Sequence, residues 1–211
     1  MYRPSAFVET DLAALDALLA DDNFITLITV RDDVPTVSHL PVLYRREGDT
    51  IELAGHFARP NPQARHVGSA TAIVHGPHAY VSPSWYLDKQ AEARVPTWNY
   101  AVAHLRGELQ TFDDEPSLSA LVGELSDRHE TAVGSDWRFE PERADQRVQL
   151  RGIIGFRLRV GQADLKFKLN QNHPQDNRAA VASRLDALGG DNGQAVARLM
   201  RERMSRPIAG D

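Results

Sequence analysis

The stretch Phe24-Ile25-Thr26-Leu27-Ile28-Thr29-Val30, followed by Asp32-Asp33, decides the fold class. Its β-branched density reads as a strand, and the paired aspartates read as a tight turn. Thr36 to Arg46 follows as a second strand, Gly48-Asp49 as the next turn, and Thr50 to Phe57 as a third strand. Three strand runs joined by short turns describe an antiparallel meander.

Upstream, Thr10 and the acid-rich start Asp11-Leu12-Ala13-Ala14-Leu15 read as a helix cap and first turn. Leu12, Leu15, Leu18 and Leu19 then share one face, which suits a helix lying on a sheet. Downstream, Pro60 and Pro62 interrupt the strands, and Gln63 to Val67 reads as a short helix ending at Gly68. Ala70 to Val74 and His78 to Val81 read as strands around a turn at His75-Gly76-Pro77. After a charged loop over 84–96, Thr97 to Phe112 is a long strand, bulged at Gly107. Pro116-Ser117 opens a helix with Leu118, Leu121, Val122 and Leu125 at helical spacing. Ile153 to Leu158 and Leu165 to Leu169 add strands around Gly161. From Arg178 the chain reads as two helices split by Leu188-Gly189-Gly190-Asp191-Asn192-Gly193. About seven strand runs with few intervening helices favour an antiparallel barrel with peripheral helices over a doubly wound parallel sheet.

The 211 residues suit one domain, or one domain with a small appendage. A formal charge of −5 disfavours sequence-independent binding of nucleic acid by the whole surface. The absence of cysteine removes disulfides, thiolate nucleophiles, iron–sulfur clusters and cysteine–zinc sites. No apolar run approaches the roughly 20 residues of a membrane span, and the first ten residues lack a secretory signal's apolar stretch, so the expected location is the cytoplasm. Phosphate-loop, dinucleotide-turn, nucleophile-elbow and zincin motifs do not occur. His75 and His78 flank the expected turn at a spacing able to chelate; without a nearby carboxylate, two ordinary turn histidines are the simpler reading, and no metal is expected.

Four polar clusters remain. In Gly55-His56-Phe57-Ala58-Arg59-Pro60-Asn61-Pro62-Gln63, a strand ends and a short helix begins. Arg59 offers a fork of donors suited to phosphate, the helix N-terminus aims amides and positive dipole the same way, and His56 can add a donor. A capped turn with a surface arginine fits the spacing equally. Gly76-Pro77-His78-Ala79-Tyr80-Val81-Ser82-Pro83-Ser84-Trp85-Tyr86 crowds aromatics and hydroxyls at a strand end, as pockets and cores both do. Within Val95 to His104, Trp98 and Tyr100 share one strand face and Asn99 takes the other, so a flat ring could stack on Trp98, although a core tryptophan reads as well. Lys166-Phe167-Lys168-Leu169-Asn170-Gln171-Asn172 sets two lysines on one face before three amides; edge protection is the plain alternative.

Taken in order, MYRP with Phe7, Ser38-His39-Leu40-Pro41, GHFARPNPQ, GPHAYVSPSWY, VPTWNYAVAHLRG and KFKLNQN resemble the PaiB family of FMN-binding negative transcriptional regulators. The resemblance runs from residue 2 to about 172, with Asn170 standing where serine is expected. It implies an FMN-binding split β-barrel over 1–172, similar to pyridoxamine 5′-phosphate oxidase, with a helical extension over 173–211 packed on it. It implies a homodimer with FMN at the interface. Ser38, His39, Leu40 and Pro41 would then run beside the isoalloxazine ring, and Gly55, His56, Arg59 and Asn61 would surround the ribityl phosphate. Tyr80, Ser82, Trp98 and Asn99 would complete the pocket, some from the partner subunit, with Lys168 and Gln171 as further candidates.

On this reading the chain is a flavin-binding regulator. A flavin-dependent oxidoreductase on a small molecule, or a ligand-binding dimer without FMN, are the alternatives. No catalytic acid or base stands out; His39 is the best candidate for moving a proton near neutral pH. Direct contact with nucleic acid rests on one helix carrying Arg198, Arg201, Arg203 and Arg206, for which a solvated capping face is the simpler account.

Overall fold

The computed structural model describes residues 1–205. Its strands are β1 (Val8–Glu9), β2 (Phe24–Arg31), β3 (Val34–Pro41), β4 (Leu43–Glu47), β5 (Thr50–Ala58), β6 (Gly68–Val81), β7 (Thr97–Phe112) and β8 (Ile153–Lys168). The helices are α1 (Ala13–Asp21), α2 (Glu115–Ala132), α3 (Ala144–Arg147), α4 (Gln175–Leu188) and α5 (Asp191–Ser205). The strands form one antiparallel sheet that does not close, ordered β3-β2-β6-β7-β8-β5-β4, with β1 beside β8. The mainly β fold class holds.

The hairpin β2–β3 turns at Asp32 and Asp33, whose φ values of 51° and 60° are those of a primed turn that follows strand twist. The expected single strand from Thr36 to Arg46 is two strands. Asn23 breaks it: the Val42 amide donates to the Asn23 carbonyl at 3.0 Å, and Asn23 Nδ2 donates to the Val42 carbonyl at 2.6 Å. Pinned there, the chain leaves β2 and pairs β4 with β5 instead, so β3 and β4 end the sheet on opposite sides.

The expected turn at His75-Gly76-Pro77 is also absent, because β6 runs straight through it. Pairing of β6 with β2 stops at Val74, so Pro77 interrupts no bond to β2. His75 and His78, three apart on a continuous strand, face opposite sides, which removes the chelating geometry. Likewise β8 continues across Gly161, passing from β5, which it leaves at Val160, to β1, which it meets at Leu165.

The chain forms two compact units. One comprises Met1–Ala14, His75–Ala103 and, of the described residues, 164–205; the other comprises Leu15–Val74 and His104–Ala163. In the second unit α1 buries Leu15, Leu18 and Leu19, as its spacing requires, and Asp11 rather than Thr10 caps it. α2 is capped by Asp114, whose Oδ1 accepts the Ser117 amide at 2.9 Å, and packs Leu121 and Leu125 onto Leu43 and Ala54. In the first unit α4 buries Val181 and Leu185, and α5 buries Val196 and Met200. Arg203 of α5 pairs with Glu9 of β1 and lies over the Phe167 ring, tying the helical tail to the start of the chain.

Candidate functional site

In the second unit, a network joins the hairpin to the turn after β5. Asn61 Oδ1 accepts the Gln63 amide at 2.9 Å, while its Nδ2 donates to Ser38 Oγ at 2.9 Å. Gln63 is fully buried, and its Nε2 donates to the Leu27 carbonyl (3.2 Å), the Thr36 carbonyl (3.0 Å) and Thr29 Oγ1 (3.1 Å). Three acceptors for two hydrogens fix the turn on both hairpin strands. No local pattern in the sequence marks Gln63 for this role, which depends on tertiary pairing alone.

Arg59 extends from this turn. Its amide donates to the Gly152 carbonyl at 2.7 Å and its Nε to the Arg151 carbonyl at 2.7 Å. Nη1 reaches Asp113 at 3.4 Å, long for a charge-assisted bond. Nη2 has no protein partner among the described residues. The guanidinium is thus held from behind with one edge open, which is the arrangement a phosphate oxygen requires. The expected helix contributes less: residues Pro62–Arg65 form a single 3₁₀ turn, and Asn61 already occupies the amides of Gln63 and Ala64.

The other residues expected around the phosphate divide. A Cβ on Gly55 would lie 2.8 Å from the Phe156 ring and 2.9 Å from the Pro41 carbonyl, so packing requires this glycine. His56 faces the other side of β5; its Nδ1 is buried without a partner among the described residues, and burial holds the imidazole below its usual range. Ser38 is buried on β3, whereas His39 is exposed, with Nδ1 3.0 Å from Thr26 Oγ1 and its ring stacked near Phe24. Leu40 and Pro41 stand opposite Ile25 and Phe24.

The first unit gathers a different group. Trp98 is 53% exposed and Tyr80 is 44% exposed; their rings meet edge to face at 6.0 Å. His78 joins them at 6.2 Å from Trp98. It shares a strand face with Tyr80, a relation hidden from the sequence by the expected turn. Lys168 Nζ donates to Thr97 Oγ1 and to the Trp98 carbonyl, the latter at 2.8 Å. Ser82 caps the next turn, accepting the Ser84 amide at 3.2 Å. Asn99 is fully buried on the opposite face from Trp98, with Nδ2 3.4 Å from Met200 Sδ and Oδ1 unpartnered. Gln171 folds back on its own strand, accepting the Leu169 amide at 2.7 Å and donating to the Phe167 carbonyl.

In the second unit an open guanidinium edge and a hydroxyl bonded to an amide suit a phosphate group; in the first, taken by itself, an exposed tryptophan face suits a flat ring. Residues 1–162 match the family model described as "Putative FMN-binding domain". The chain belongs to this FMN-binding family. FMN is therefore its cofactor, and the chain is PaiB-like. It is 28% identical over 214 residues to protease synthase and sporulation protein PAI 2 of Bacillus subtilis, covering 99% of this chain and 100% of that one. Among solved structures, the FAD and heme binding protein from Mycobacterium smegmatis aligns with a TM-score of 0.57 at 19% identity, covering 87% of this chain and 80% of that one. The flavocytochrome Anf3 from Azotobacter vinelandii aligns at 0.58 and 16%, covering 85% and 78%. These two likenesses carry the split-barrel fold. No helix among the described residues is long and apolar enough to cross a membrane.

Proposed function

We propose that this FMN-binding chain works as a homodimer, a negative regulator of the PaiB type, with Arg59 as the anchor for the ribityl phosphate. Ser38, Asn61 and His56 assist there, and the strand from Ser38 to Pro41 runs beside the ring. Trp98 and Tyr80, with Ser82, Lys168 and Gln171 in support and some of them from the partner subunit, complete the pocket, and Asn99 backs the Trp98 strand from its buried face. FMN supplies the redox centre, and the protein's part is to hold and orient it.

The observation that carries the dimer is an apolar strand face that the described residues leave partly open. Phe24, Val30 and Val37 are 51%, 62% and 50% exposed, and the β2–β3 register sets them on one face with His39 and Pro35. An uncovered apolar patch beside the segment assigned to the ring suits a self-complementary twofold contact. Sedimentation tests this. The expected result is a wild-type dimer that Val37→Asp converts to a monomer with loss of FMN; a wild-type monomer that retains FMN would overturn the reading.

Regulation is read without direct contact to nucleic acid. Arg203 pairs with Glu9, Arg201 pairs with Asp186, Arg198 is exposed, and Arg206 lies outside the described residues. A gel shift on promoter DNA that weakens steeply with salt would oppose this reading. The oxidoreductase reading has one observation in its favour: exposed His39 has its ring fixed by Thr26 and its second nitrogen unpartnered among the described residues, so it can pass a proton. Oxidation of reduced nicotinamide that falls sharply in His39→Ala would favour that reading.

A further inference from the structure

A cavity of about 200 Å³ opens in the first unit, on residues mostly outside the groups assigned above. Its polar lining is Arg94, Thr97, Lys168, Asn170, Asn172 and His173, and its apolar wall includes Tyr86 and Val95. No carboxylate of the described residues lines it. Asp88, outside the wall, pairs with Arg94 through Nε (2.9 Å) and Nη2, and that guanidinium holds its carboxyl down to about 2. Asp88 therefore neutralises Arg94, and among the described residues no carboxylate pairs with Lys168.

The donors are arranged by partners that can only accept or only donate. Arginine has no acceptor, so Arg94 Nη1 donates to His173 Nδ1 at 3.2 Å. The imidazole must then carry its proton on Nε2. Burial and the Arg94 charge push His173 below its usual range, which keeps it a neutral Nε2–H donor. His173 stacks on Tyr86 at 4.8 Å, and Asn170 Nδ2 donates to the Tyr86 hydroxyl at 3.0 Å, so the wall is rigid. Asn170 holds a left-handed φ of 63°, a conformation asparagine tolerates better than most residues. Lys168 uses two of its three hydrogens on Thr97 and Trp98. Burial, and the Lys166 charge beside it, keep its ammonium below the usual lysine range. A cation in that position gains by acquiring a counter-charge.

We propose that this cavity binds a small anion, the carboxylate or phosphate group of a small molecule, on Lys168, the Nε2–H of His173 and Asn172. The volume equals roughly seven waters at liquid density, enough for such a group and a few attached atoms. The apolar wall favours an organic anion over a bare hydrated ion. The inference stands on the first unit alone and does not need the FMN reading. Lys168 is the residue that both share, so the experiment separates the two sources of anion.

The test titrates inorganic phosphate, and separately acetate, into FMN-loaded protein, following the His173 ring by NMR and flavin absorbance in parallel. Saturable binding is expected with FMN still in place. Lys168→Gln, which keeps donors while removing the charge, should weaken it at least tenfold. His173→Phe, which keeps the stack on Tyr86, should weaken it severalfold, and Arg59→Ala, held FMN-loaded by excess cofactor, should still bind the anion. No saturable binding by either anion would overturn the proposal. So would binding confined to flavin-free protein, or binding lost in Arg59→Ala and kept in Lys168→Gln, since either would make the anion the cofactor's own phosphate.

Discussion

The group around Arg59 and the group around Trp98 are built on opposite principles. In the first, almost every polar atom is spent on the fold: Gln63 clamps the hairpin, Asn61 bridges two segments, and Arg59 rests on two carbonyls. In the second, Trp98, Tyr80 and His78 spend little on the fold and all stay exposed to solvent. A phosphate is recognised by fixed charge and geometry, so its anchor gains from rigid framing. A flat ring is recognised by contact area, which an exposed aromatic face already provides. Damage to the first group should therefore appear in both stability and binding, and damage to the second in binding alone.

Four substitutions test that contrast. Arg59→Ala should weaken FMN binding by about 1.5–3 kcal/mol, roughly 10- to 150-fold, in a fluorescence titration. Unchanged affinity would remove Arg59 as the anchor. Gln63→Ala should cost about 1–3 kcal/mol of stability in thermal or urea unfolding, because two buried acceptors and one half-buried one lose their donor. A melting temperature equal to wild type would show that the clamp is dispensable. Trp98→Ala should weaken FMN binding by about 0.5–1.5 kcal/mol while moving stability by less than about 0.5 kcal/mol. A large loss of stability would place Trp98 with the framed group.

The smallest effect concerns pH. Burial depresses the folded-state pKa of His56, so the unfolded chain binds more protons below its ordinary value near 6.5. His56 contributes stability above that pH, and the contribution fades as pH falls through it towards the folded value. His56→Gln should flatten this part of the stability curve between about pH 7 and 5. A wild-type curve already flat there would contradict the burial argument.

Much of the fold was legible because its strongest signals are local. The β-branched run Phe24 to Val30, the Asp32-Asp33 turn, the long strand Thr97–Phe112 and the heptad-like leucines of α2 all lie where the sequence places them. What escaped was decided at a distance. The break at Val42 depends on Asn23, nineteen residues away, and the strand through Gly76-Pro77 persists because β2 ends beside Val74. Arg59 could be picked out as a phosphate donor by residue type, and Trp98 as a stacking face by strand alternation. The clamp of Gln63 and the burial of Asn99 against Met200 could not, since each depends on strands and helices brought together only by the fold.

The central claim is that the chain binds FMN. The measurement that tests it most directly is the absorbance spectrum of the purified protein, with mass analysis of the cofactor released on denaturation. A yellow protein that releases FMN is the predicted result. A colourless protein that also fails to take up added FMN would contradict it.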